Sequence, residues 1–255
     1  MPLMRLFALI VTLAAWIQAP SPANAASTNV AVAANFNDAA KEIAALFKTK
    51  TGHDAVLSFG SSGLFYTQIK QGAPFQVFLS ADAERPQKLA DEGLALPQSR
   101  FTYAIGKLVL WSKDPNAIKG LETLKANAFS KLSIADPNSA PYGVAAIETL
   151  KALQIYDSVK PKIVTGTSIA QALQFIQTSN AEIGFVALAQ INSSSGGSRW
   201  LVPQDLYTEI RQDAVLLNNG AHNDAAKAFM TFLDSVEARQ MIETYGYVLD
   251  GKRAN

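Results

Sequence analysis

The sequence predicts an α/β protein of two lobes, each a mixed, mainly parallel sheet flanked by helices, with two crossover strands between the lobes as a hinge. Three observations point there. Short apolar runs alternate with segments whose apolar residues recur at helical spacing, the pattern of strand–helix units on a parallel sheet. The alternation comes in two blocks. Two longer strand-like runs, "YAIGKLVLW" (103–111) and "RQDAVLLNN" (211–219), bracket the second block. On this reading residues 26–107 plus 213–255 form lobe I and residues 108–212 form lobe II, with the ligand cleft between them.

The first unit is "VAVAANFNDAA" (30–40), an apolar run that turns into a helix whose buried stripe is Phe36, Ala39, Ala40, Ile43, Ala44 and Phe47. A strand over 55–59 follows, then a Gly/Ser turn and a helix from about Ser62 to Gly72. A third strand over 77–80 leads to a helix closed by Gly93. Inside the second block, "KLSIADPNSAPYGVAAIETLKAL" reads as strand, Pro-rich turn and helix from about Tyr142. "TGTSIAQALQFIQTSNAEIGFVAL" reads as a helix with Ile169, Ala172, Leu173 and Ile176 inward, then a strand from Glu182. The final "NDAAKAFMTFLDSVEARQMIETYGYVLD" is amphipathic helix, and "NSSSGGSR" (192–199) is a surface loop.

Residues 1–25 carry one Arg, an apolar run from Leu6 to Ile17, a Pro and the small-residue pattern Ala23-Asn24-Ala25, the make-up of a cleavable secretory signal. The apolar run is too short to span a bilayer comfortably, so export to the periplasm is expected. The chain has no Cys, which rules out disulfides and a lipid on an N-terminal Cys. Lys and Arg total 22 against 21 Asp and Glu, and loss of Arg5 with the signal makes them equal. That balance argues against nucleic acid or an anionic membrane as partner. No large exposed apolar face is evident, so a monomer is expected.

Familiar catalytic constellations are missing. His53 and His222 are the only histidines, each placed in a turn expected to face solvent, and no spacing suits zinc. "GSSG" (60–63) is not a nucleophile elbow, and neither a phosphate loop nor a G-x-G-x-x-G turn occurs. What remains is a set of polar helix starts: Asn35, Ser61-Ser62, Pro141-Tyr142-Gly143 and Thr167-Ser168-Ile169. Each could be an ordinary cap, since Asn, Ser and Thr are favoured there. Each could instead hold an anion on unpaired N–H groups at the positive end of a helix.

The stretches "VAVAANFNDAA", "SFGSSGLFYTQIKQGAPFQVFLSAD", "LSIADPNSAPYGVAAIETL", "TGTSIAQALQFI", "AEIGFVAL" and "AFMTFLDSVEARQMIETYGY" resemble the periplasmic molybdate-binding proteins of ABC importers over nearly all of the chain after the signal. The resemblance implies the type II periplasmic binding fold, no catalysis and no cofactor. It further implies capture of molybdate or tungstate for delivery to a membrane permease. The positions it assigns to the oxyanion are Asn35 with Ala34, Ser62 with Ser61, Tyr142, Ile169 and Ala187, where Ala187 stands in place of a Tyr common in the family.

On this expectation Asn35 gives amide and backbone hydrogens, Ser62 a hydroxyl, and Tyr142 and Ile169 backbone N–H groups. A fully deprotonated tetrahedral dianion presents only acceptors, so a site made only of donors suits it. A protonated phosphate would also need a carboxylate acceptor, and none is among these positions. The alternatives are a receptor for sulfate or another tetrahedral oxyanion, or an exported enzyme or sensor domain on the same fold.

Overall fold

The computed structural model describes residues 25–192 and 196–251. Except for Ala25, the expected signal segment lies outside the described residues, as do residues 193–195 of the expected surface loop.

The chain opens with β1 (Ser27–Ala33), a single 3-10 turn over Ala34–Phe36, α1 (Asn37–Thr51), β2 (Asp54–Gly60), α2 (Ser62–Lys70), β3 (Val77–Leu79), α3 (Glu84–Asp91) and β4 (Phe101–Gly106). It then crosses into β5 (Leu108–Ser112), α4 (Leu121–Ala126), β6 (Leu132–Ala135), α5 (Pro141–Ala152), α6 (Tyr156–Val159), β7 (Ile163–Gly166), α7 (Ile169–Gln177), β8 (Ile183–Ala187), α8 (Leu188–Ile191) and β9 (Ser198–Leu201). It returns as β10 (Ile210–Leu216) and finishes with α9 (Asp224–Leu233) and α10 (Val236–Thr244).

Two five-stranded sheets result, ordered β2-β1-β3-β10-β4 and β7-β6-β8-β5-β9. In each, the fourth strand alone runs against the others: β10 is antiparallel to β3 and β4, and β5 is antiparallel to β8 and β9. These two are the first strands after each crossing. A lobe's own strands end at the cleft, so a strand arriving from the other lobe must start there and run the opposite way.

The run expected as one long strand over 103–111 is therefore two strands, β4 and β5, parted at Lys107. Its counterpart β10 belongs wholly to the first sheet. The sequence pattern predicts neither β7 nor β9, and the closing amphipathic segment is two helices. Ser235 divides them by accepting a bond from Ala238 N–H as the N-cap of α10.

Separate cores hold the two sheets. Val30, Val32, Ile43, Phe47, Leu79, Phe229 and Leu233 pack the first lobe, with α1 burying the expected Ala39, Ala40, Ile43 and Phe47. Leu108, Leu110, Leu132, Ile134, Leu150 and Phe185 pack the second. Each such side chain contributes about 1.5–3 kcal/mol by leaving water. Ala33, Ala34, Ala81 and Ile210 of the first lobe join the second lobe's cluster, so the lobes pack directly on one another there. His53 differs from expectation: it is half-buried, and its Nδ1 accepts from Ala26 N–H at 3.2 Å.

Candidate functional site

The C-terminal ends of β1 and β2, Ala33 and Gly60, stop at the junction of the lobes beside Ala81, just past β3. Facing them are the start of α5, Ala140 to Tyr142, and Ile169 at the start of α7. Together with Ala34, Asn35, Ser61 and Ser62 they line a small cavity between the lobes. Six of the seven positions assigned from sequence thus line one space, drawn from both lobes. Ala187 does not line it: its N–H is taken by Gln190 Oε1 at 3.0 Å, and Gln190 Nε2 donates to Ile169 O at 3.2 Å.

Local sequence explains why donors point inward. The first N–H groups of any helix lack an intrahelical acceptor. Pro141 occupies the first position of α5 and has no N–H, leaving that of Tyr142 as the first donor there. Ser61 and Ser168 cap α2 and α7 by accepting from Leu64 N–H at 3.4 Å and Gln171 N–H at 3.3 Å. Among the described residues no partner takes the N–H of Asn35, Ser62, Tyr142 or Ile169. Ser62 is buried and its Oγ accepts from Ala81 N–H at 2.8 Å, so its own proton is free to be donated.

Asn35 departs from expectation in two ways. It lies in the 3-10 turn ahead of α1 and makes no side-chain cap. Its amide hydrogens are also committed away from the cavity, to Gln212 Oε1 at 2.8 Å and Tyr247 Oη at 3.0 Å, while Tyr247 donates back to Asn35 O at 2.8 Å. What Asn35 can offer a ligand is its backbone N–H. The Tyr142 hydroxyl is likewise engaged, accepting from Gln212 Nε2 at 3.2 Å. Sequence reasoning missed Gln212, Tyr103 and Tyr247. The signal for Gln212 was a polar run, Arg211-Gln212-Asp213, in a strand whose other residues are apolar, and Gln212 and Asp213 are buried.

Electrically the site is neutral. The cavity lining holds no Asp, Glu, Lys, Arg or His. The neighbouring outer cleft shares Ala81 and Pro141 and contains Arg85, but that guanidinium is paired with Asp82. Burial pushes the hydroxyls of Tyr103, Tyr142 and Tyr247 well above the ordinary tyrosine value, so they stay protonated. No cluster of His, Cys, Asp or Glu among the described residues could hold a metal ion. Two lobes enclosing a small, uncharged cavity lined with donors form a solute-binding protein.

The chain belongs to the family of bacterial extracellular solute-binding proteins, whose profile matches residues 28–248. It is 56% identical over 229 residues to the molybdate-binding protein ModA of Rhodobacter capsulatus, covering 90% of this chain and 91% of that one. With ModA of Azotobacter vinelandii the identity is 51% over 245 residues, covering 94% and 97%. The solved structure of an Azotobacter vinelandii periplasmic molybdate-binding protein superposes with a TM-score of 0.85 at 41% identity, covering 88% of this chain and 99% of that one.

Proposed function

We propose that this chain is the periplasmic receptor of an ABC importer and captures molybdate, or its analogue tungstate, in the cavity between its lobes. The observation that carries this is the lining itself. Backbone N–H groups of Asn35, Ser62, Tyr142 and Ile169 and the Ser62 proton converge there with no carboxylate and no cation. Similarity above 50% to two molybdate-binding proteins supports the choice of ion. Helix N-termini and oriented hydrogens replace the ion's water shell and spread its double charge over both lobes. The protein binds and releases its ligand unchanged, as a monomer exported by its N-terminal signal, and passes it to a membrane permease.

Ser62→Ala tests the assignment. A hydrogen bond to a charged group is worth about 1.5–3 kcal/mol, so calorimetry should show molybdate affinity falling about ten- to a hundredfold. Unchanged affinity would place the ion elsewhere. A melting-temperature screen over molybdate, tungstate, sulfate, phosphate and chromate tests the class of ligand, since a ligand at about 100 times its Kd stabilises by about 2.7 kcal/mol.

A further inference from the structure

Behind the cavity wall lies a buried polar network that the binding of an ion does not by itself require. Its centre is Gln212, fully buried at 0% exposure on β10 in the first sheet. Both ends of its amide are used. Oε1 accepts from Asn35 Nδ2 at 2.8 Å and from Tyr103 Oη at 3.2 Å, and Nε2 donates to Tyr142 Oη at 3.2 Å. Asn35 belongs to the first lobe, whereas Tyr142 is on α5 in the core of the second. One side chain thus holds a cavity residue from each lobe.

The surroundings leave room for this link and little else. Gly106 is the last residue of β4 before the crossing to the second sheet. A Cβ there would lie 2.1 Å from Tyr142 Oη and 2.7 Å from Gln212 Nε2, so only Gly lets the two groups meet. Asn35 is fixed from the other side by Tyr247, through bonds to both its amide and its carbonyl.

We propose that Gln212 is a positioning residue of the oxyanion site. From outside the cavity, it holds Asn35 of one lobe and Tyr142 of the other at the spacing their backbone donors need, and its bond to Tyr142 couples lobe closure to assembly of the site. The inference rests on the receptor reading above. A satisfied network in a low-dielectric interior is stiff, and its loss leaves several buried groups without partners at once.

The experiment is a calorimetric double-mutant cycle with sodium molybdate on the full chain, comparing the parent, Gln212→Met, Tyr142→Phe and the double variant, with ligand-free melting temperatures alongside. Gln212→Met should weaken molybdate at least about tenfold. Tyr142→Phe, which keeps the backbone N–H, should weaken it less. The double variant should bind no more weakly than Gln212→Met alone, because the second change removes a bond already lost.

A purely structural Gln212 would lower the ligand-free melting temperature and leave affinity at the parent's value, and that result overturns the inference. Losses that multiply in the double variant also overturn it. If Gln212→Met does not fold, Tyr142→Phe decides alone: weakened binding supports the inference and parental binding sinks it. A parent that takes up no molybdate sinks the receptor reading itself, and this inference with it, whereas a parent that binds while the variants match it sinks the inference only.

Discussion

At the scale of single residues, a side chain's chemical type did not reveal where its hydrogens go. The sequence exposes Asn35 as a polar residue at a helix start, but its amide caps no helix. The amide instead serves Gln212 and Tyr247. Asn35→Ala should therefore destabilise the fold even without ligand, leaving buried partners unsatisfied at a cost of about 1–3 kcal/mol, measurable by urea unfolding. Ser62 behaves in the opposite way. Its Oγ is already an acceptor, so Ser62→Asp replaces a donor with a negative charge facing a dianion in a dry space, and molybdate binding should become undetectable by calorimetry. Ser62, Tyr142 and Ile169 were readable because helix starts have a sequence signature. Gln212 was not, because nothing local tells which lobe a buried amide in a strand will touch.

At the scale of elements, alternation of apolar period identified most strands and helices. The misses share a cause. β7 is four residues long and follows Lys160-Pro161-Lys162, and β9 begins within a Ser/Gly-rich stretch, so neither carries a periodic signal of its own. Both are fixed by pairing with a neighbour: β7 with β6, and β9 with β5. The division of the last segment rests on a single Ser cap inside continuous helical spacing.

Element contacts also show how the lobes close. The start of α2 meets the loop before α5 where Gly63 N–H donates to Ser139 O at 2.8 Å, and a Cβ on Gly63 would lie 2.8 Å from Ser139 Cα. Gly63→Ala should wedge the lobes apart and cost about 1–3 kcal/mol of molybdate binding. Ligand-free stability should hardly change, because each lobe keeps its own core. Titration and thermal unfolding of the same variant separate the two effects.

At the scale of the whole molecule, function follows from neutrality inside and out. Positive and negative side chains nearly cancel over the chain, and the cavity holds none of either. Recognition of an ion is then left to oriented hydrogens, and binding should not vary with pH between about 7 and 9, where no ordinary Asp, Glu or Lys and no buried tyrosine titrates. Stability has a defined alkaline limit. Tyr103, Tyr142 and Tyr247 have folded values raised above the ordinary 10.0, so the folded state holds those protons more tightly than the unfolded one. Their contribution is complete below about pH 10 and is lost as pH rises through the folded values. Melting temperatures followed together with tyrosinate absorbance should fall only above that point.

A cavity of donors that contains no carboxylate should select a fully deprotonated oxyanion. The decisive experiment is calorimetric titration of the parent near neutral pH with molybdate and, separately, with phosphate. One molybdate should bind per chain, with phosphate weaker by about 1–3 kcal/mol or more, because its proton finds no carboxylate. Phosphate bound at the same site as tightly as molybdate would show that the absence of a carboxylate does not set the choice of ion.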